Sequence, residues 1–286
     1  MRRASTIEKD AGQINTVEGL TGVFESIAST QVAKVKNKVE LSKEFFQLLW
    51  GRYSSIRIDP GSRITNRDLD KEQSKAVFII ISAEAGLSGD IDQRMIETML
   101  QAYNKATTDI IVFGRHGASQ LLQRGIKFSH YFQVPETDSY IDVSPVISII
   151  KTYSKIVVYY EEYVSLGVQD IKTIDLISRI RDLSQEADED VITAEDTIFE
   201  PSLDEIADEM EETMMSLALS QTILESSLAQ AASRFNAMAV AKKRASELLS
   251  GYQLEYHRAK RSENDRRLHE VLISLKGKRR RLGAHV

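Results

Sequence analysis

The 286-residue chain is 42% hydrophobic and 28% charged, with 4 prolines, 14 glycines and no cysteine. That composition is typical of a helix-rich folded protein, and the lack of cysteine excludes disulfides, thiolate catalysis and cysteine-held metals. The net charge of −5 hides a polarised distribution: 14 acidic residues and no lysine or arginine lie between Asp182 and Glu212, and ten lysines and arginines lie between Tyr256 and Val286.

The longest purely apolar run, Ala76 to Ile81, is far short of the ~20 residues that span a bilayer. Two arginines at the N-terminus have no apolar core behind them, so no secretory signal is expected and the cytosol is the default compartment.

Taken in order, the chain opens with Ser5-Thr6-Ile7-Glu8, which has the spacing of a capping box. Ile7, Ile14, Val17, Phe24, Ala28 and Val35 then recur close to a heptad, and the pattern continues through Phe45, Leu48, Leu49 and Tyr53. Asp59-Pro60-Gly61 ends it. A long helix over residues 1–60 is predicted. Gly12, Gly19 and Gly22 weaken it by roughly 1 kcal/mol each relative to alanine, and they lie off the apolar seam. Either something approaches the helix closely there, or its first turns are loose.

From 72 to 180 the pattern changes to that of an α/β domain. Lys75–Ser82, Asp109–Phe113, Ile126–Phe132 and Lys155–Val164 read as strands. Asp90–Lys105, Ala118–Arg124 and Val143–Tyr153 read as helices between them. Val168–Leu176 is the expected antiparallel neighbour of the last strand across Ser165-Leu166-Gly167. Alternating strands and helices predict a doubly wound, Rossmann-like domain. Residues 181–200 read as an acidic linker.

Residues 201–276 read as a second long helix, with Gly251 alone interrupting Leu203 to Leu275. Leu203, Ile206, Met210, Met214, Leu217, Leu224, Leu228, Ala231, Phe235 and Met238 step by fours and threes, with Gln221 in the one polar slot. Ala245, Leu248, Tyr252, Tyr256 and Ala259 continue the stripe. Such a repeat is a coiled-coil seam. At ~1.5 Å per residue the helix is roughly 110 Å long, more than a globular domain of this size can cover. Two long amphipathic helices at opposite ends of the chain predict an antiparallel coiled coil, and residues 277–286 read as a basic tail.

Chemical motifs are sparse. Ala85-Gly86-Leu87-Ser88-Gly89 follows a strand and precedes a helix, as phosphate loops do, but it lacks the glycine spacing and carries Glu84 and Asp90 beside it. It reads as a tight turn. His116, beside Arg115, has no second ligand at metal spacing; His130 is isolated, and His257 and His269 lie too far apart on one helix. No catalytic, cofactor-binding or metal-binding residue is expected. Tyr252 and Tyr256 sit on the heptad stripe, so the basic residues near them do not signal nucleic acid.

Three stretches carry a family resemblance. Ile14-Asn15-Thr16, Leu20-Thr21 and Phe24 to Ser29 match one N-terminal helix pattern. Ile81 to Gly89 resembles a strand ending in Ser followed by Gly-Leu-Cys-Gly-Gly. Gln230 to Met238, followed by Leu249 to Lys260, is similar to a C-terminal helix bearing Ala-Ser/Ala-Arg-Met-x-Ala-Met. Together they resemble the gamma subunit of F-type ATP synthases over the whole chain. Ser88 and Asp90 stand where cysteine and glycine are usual. Lys260 to Asp265 replace the usual Arg-Gln-Ala-x-Ile-Thr.

The resemblance implies a central-stalk rotor subunit that couples ion flow to conformational change in a catalytic hexamer. Implied partners are the catalytic and non-catalytic ATPase subunits of the hexameric ring, an epsilon-type stalk subunit and the membrane rotor ring. No nucleic acid and no membrane insertion are implied. The chain would catalyse nothing, bind no cofactor, and lie peripherally at the cytoplasmic face of the cell membrane in a proton- or sodium-transporting complex. Phe24, Arg258, Lys260, Arg261, Asn264 and Asp265 are the implied partner contacts. The alternative is a coiled-coil scaffold with an α/β interaction domain and no motor.

Overall fold

A computed structural model describes residues 2–55, 75–134, 141–153, 155–176 and 203–282, with backbone alone at 50, 52–55, 203–208 and 277–282. The expected loop at 62–73, the acidic linker and the end of the tail lie outside the described residues. The chain divides into two compact units, one of Met1–Ser26 with Met238–Val286 and one of Ile27–Ala237.

Helix α1 spans Ala4–Ser55. Its start corrects the capping-box reading. The N–H groups of Thr6 and Ile7 bond the Arg3 carbonyl, so Ser5 lies inside the first turn. The cap is supplied from elsewhere: the Ala4 N–H donates to Glu263 Oε1 at 3.1 Å. A helix begins with four orphan N–H groups, and a carboxylate at that end also suits the macrodipole.

In the second unit, strands β1 (Ala76–Ile81), β2 (Thr108–Phe113), β3 (His130–Phe132), β4 (Lys155–Tyr163) and β5 (Gln169–Asp175) form one sheet in the order β3-β2-β1-β4-β5. All pairs are parallel except β4 with β5, which are antiparallel across the Ser165–Val168 turn. Helices α2 (Ile91–Ala102), α3 (Arg115–Gln123) and α4 (Ser144–Ile150) connect them. Helix α5 spans Leu203–Leu282.

Alternation along β1 sorts its side chains to two faces. Val77, Ile79 and Ile81 pack with Ile147 and Ile150 of α4, Met214, Ala218 and Leu219 of α5 and Phe46 of α1. Phe78 and Ile80 pack with Met95, Ile96 and Met99 of α2 and Leu121 of α3. Helices therefore cover both faces, as a doubly wound sheet requires. Each fully buried isoleucine here contributes about 1.5–3 kcal/mol.

Most boundaries shift by a few residues from the sequence reading, and three of the shifts have a visible cause. Strand β3 begins at His130 and not at Ile126, because the chain after α3 is bound to that helix's end. Ile126 N–H donates to the Leu121 carbonyl, and Gly125 takes φ +71°. Helix α3 begins at Arg115, three residues early, because the end of β1 receives its first donors: His116 N–H to the Ala83 carbonyl and Gly117 N–H to Ser82 Oγ, both at 3.0 Å. Helix α5 continues past residue 276 to Leu282. Its last turn is rich in lysine and arginine, which are good helix formers and suit the negative end of the dipole.

Helices α1 and α5 run antiparallel in each unit. In the first, Glu25 meets Lys242 and Ala4 meets Glu263; in the second, Gln31 meets Arg234 and the Val39 carbonyl meets Gln221. The buried line of α1 is Ile7, Thr21, Ala28 and Val35, with Ile14 half-buried. Val17, Phe24, Phe45 and Leu48 face outward instead, at 46%, 38%, 55% and 72% exposure. A hydroxyl residue holds the heptad slot because Thr21 Oγ1 bonds back to the Val17 and Glu18 carbonyls and reaches the seam already satisfied.

On α5, Leu248 also faces outward. Between Met214 and Ala232 this helix is buried more widely than one stripe: Ala218, Leu219, Thr222, Ser226 and Ala229 are all fully buried. A seam pattern describes a helix with one neighbour, whereas this stretch packs on the sheet as well.

Gly12 and Gly19 have no described heavy atom within 4 Å of where a Cβ would stand. Alanine at either position should therefore stabilise the isolated chain by about 0.5–1 kcal/mol, read as a higher urea midpoint. A lower midpoint would mean that the backbone itself depends on glycine there.

Candidate functional site

The first unit is a helix pair whose seam holds Ala4, Ile7 and Ala259, with Tyr252 and Tyr256 packed against them. The two tyrosines are thus seam residues, as the heptad spacing predicts. Lys242 lies along Gly22, where a Cβ would sit 3.6 Å from its Cε, and its Nζ reaches Glu25 Oε2 at 2.8 Å.

Of the six implied partner contacts, all are exposed on this unit's helices: Phe24 on α1, and Arg258, Lys260, Arg261, Asn264 and Asp265 on α5. Lys260 turns back over the Tyr256 ring, 5.3 Å from its centroid. Every residue from Lys260 to Lys276 is exposed. Among them Leu268, Val271, Leu272 and Leu275 fall three, four and seven residues apart, a single apolar line on one helix face, each more than half exposed.

The second unit brings together two of the sequence motifs. The turn after β1 (Ala83 to Gly89) is held by the α5 segment that begins at Ser226. Ser226 Oγ and Gln230 Nε2 both donate to the Ile81 carbonyl, and Ser233 Oγ donates to the Ser88 carbonyl at 2.6 Å. Arg234 spans the turn, its Nε on the Gly86 carbonyl, its Nη2 on Ala85 and its Nη1 on Gln31 Oε1, at 3.1–3.3 Å. Leu87 sits at φ +74°, a strained value for a branched side chain, and is half exposed.

In the first turn of α2 a carboxylate is buried against the turn after β1. Asp92 is 1% exposed. Its Oδ1 accepts from Ala83 N–H at 3.0 Å, and its Oδ2 faces Ser88 Oγ and, at 2.7 Å, His116 Nδ1. Ser88, standing where the family has cysteine, thus gives the carboxylate a hydroxyl donor. His116 orients Asp92. The described residues hold no cluster of side chains suited to a metal ion.

The sequence reading missed Asp92 and Glu161. Glu161 lies on β4 among buried residues and is itself fully buried. Burial, and then the neighbouring Asp92, push its carboxyl well above the usual carboxylate range. Arg234 and Arg94 oppose that shift. Burial also lowers the Arg234 guanidinium, against the pull of the two carboxyls. Alternation could not have singled it out, because side chains on both faces of β4 from Ile156 to Tyr160 are buried and Glu162 beside it is only half-buried.

Two long terminal helices and a doubly wound domain, with apolar lines exposed on the helices, are what the described residues show. A family model described as ATP synthase matches residues 4–275. The ATP synthase gamma chain of Halothermothrix orenii is 23% identical, over 95% of this chain and 98% of that one. The gamma chain of Clostridium novyi is 22% identical, over 93% and 95%.

The fold is that of a chain in the Euglena gracilis mitochondrial ATP synthase, with TM-score 0.66 and 13% identity over 96% of this chain and 94% of that one. A chain of the Tetrahymena thermophila central stalk and c-ring matches with TM-score 0.57 and 16% identity, over 78% and 99%. The chain belongs to the ATP synthase gamma-chain family.

Proposed function

We propose that the chain works as a peripheral, non-catalytic rotor at the cytoplasmic face of the cell membrane. Its helix pair stands within a hexameric ring of catalytic and non-catalytic ATPase subunits, while other surfaces meet an epsilon-type subunit and the membrane rotor ring. Proton or sodium flow turns the ring and the shaft together. An asymmetric shaft makes different contacts with each catalytic subunit, and so biases each site's nucleotide affinity in turn.

The observation that carries this reading is the exposed apolar line Leu268, Val271, Leu272 and Leu275 on α5, with Val17, Leu20 and Val23 exposed on α1. Apolar surface of this kind marks a protein-facing site. Among the described residues no helix is long and apolar enough to cross a membrane.

Gentle purification from native cells should bring two ATPase-type subunits with the chain, each in excess of it. Replacing Leu268, Leu272 and Leu275 by serine should move the isolated chain's stability by less than about 0.5 kcal/mol per site, because these side chains are already in water. The same variant should lower ATP synthesis by the complex several-fold. Retention of full synthesis would remove the apolar line from the coupling path. Absence of ATPase subunits from the preparation would overturn the rotor reading itself.

A further inference from the structure

Along α5, the hydroxyls of Thr222, Ser227, Ser250 and Ser274 bond back to carbonyls of their own helix, the usual habit of helical serine and threonine. Ser226 and Ser233 donate away from it instead, to the Ile81 and Ser88 carbonyls at 3.2 and 2.6 Å. Gln230 and Arg234 do the same, on the carbonyls of Ile81, Ala85 and Gly86. Positions 226, 230, 233 and 234 follow the helical repeat, so all four lie on one face of α5.

Ser226 is at the centre of this set and 0% exposed. Its Oγ donates to Ile81 at the end of β1, and accepts from Gln230 Nε2 at 3.1 Å and from the Glu161 N–H of β4 at 3.5 Å. The strand order reverses between β1 and β4, since β2 and β3 lie on one side of β1 and β4 and β5 on the other. In doubly wound sheets the crevice at the carboxyl ends of two such strands is where a ligand binds. Here α5 reaches into it with a side chain of its own.

Apolar packing alone holds a helix poorly against twisting about its axis, because the attraction is non-directional. The buried apolar residues of α5 in this stretch include Met214, Met215, Ala218, Ala229 and Ala232, which are flexible or small and key weakly into a neighbour. Hydrogen bonds to carbonyls fixed in a sheet are directional, and turning the helix breaks them. We propose that Ser226 and Gln230, flanked by Ser233 and Arg234, are the joint through which the α/β domain and α5 turn as one body. The inference rests on the rotor reading: torque delivered to the α/β domain crosses to α5 here before it reaches the catalytic ring. All four are positioning residues, which fix the angle of the shaft relative to the sheet.

The test uses the whole complex in sealed membrane vesicles and compares ATP hydrolysis with ATP-driven ion uptake. The double variant Ser226→Ala with Gln230→Leu keeps most of the shape of the contact and removes its directional bonds. It should assemble and hydrolyse ATP close to the wild-type rate, while the ions taken up per ATP fall several-fold, because the shaft slips under load. Ile96→Val is the structural control. It loosens the core on the other face of the sheet, away from α5, and should leave the ratio of uptake to hydrolysis unchanged. An unchanged ratio in the double variant, or an equal fall in Ile96→Val, would overturn the joint. If the double variant does not assemble, Ser233→Ala is read in the same way, and an unchanged ratio there is equally decisive. A wild-type complex that hydrolyses ATP without ion uptake, or that lacks ATPase subunits, removes the rotor reading itself and the joint with it.

Discussion

Gly114→Ala should destabilise the chain by roughly 3–5 kcal/mol, the largest effect expected from any single methyl group here. Two independent penalties combine at this position. Gly114 sits at φ +90°, and a Cβ there would lie 2.2 Å from the Ser82 carbonyl oxygen and 2.7 Å from its Oγ. The obstacle is backbone at the end of a central strand, and that strand cannot move without its neighbours. Ser82 also ties the crossing together: its Oγ donates to the Phe113 carbonyl and accepts from Gly117 N–H. Gly89→Ala is the control, since its φ of +76° carries similar strain in open space. That variant should lose only about 1–2 kcal/mol. Urea titration of both chains separates strain from steric overlap. Equal losses would show that the close approach to Ser82 can relax.

Arg234→Ala should lose about 2–3 kcal/mol. The substitution strands the Ala85 and Gly86 carbonyls and the Gln31 amide oxygen. It also removes a cation from beside the buried Asp92 and Glu161, raising the cost of any charge there. Arg234→Lys should recover less than half of the loss, because one ammonium cannot reach three acceptors that a planar fork engages together. The readout is the urea midpoint together with hydrogen exchange in the 83–89 turn. A lysine variant as stable as wild type would mean that charge, and not the fork geometry, is what matters.

Much of the architecture was legible in advance because it rests on periodicity. Two long heptad patterns named the terminal helices. β-branched runs such as Ala76–Ile81 named the strands, and Ser165-Leu166-Gly167 named the hairpin. Errors fell where one side chain's environment overrode the pattern. Val17 and Phe24 look like seam residues, yet Thr21 takes the slot between them because its hydroxyl is satisfied within its own helix. Ser5 looks like a cap, yet Glu263 provides the cap from 259 residues away.

Glu263 was among the residues that depart most from the family pattern, and its contact explains one of those departures. A carboxylate at 263 ends the seam by closing the α1 N-terminus. Asn264 and Asp265, next to it, are exposed.

The sequence by itself determined the long helices, the α/β core and the family, because these depend on repeat, composition and motif spacing that any one stretch carries locally. Only the tertiary structure decided which polar residues are buried together. Asp92, His116, Glu161 and Arg234 lie on four different elements, and no local rule links a carboxylate at the start of α2 to another on β4. Their chemistry arises from shared exclusion of water, a property of the packed chain that no single segment holds.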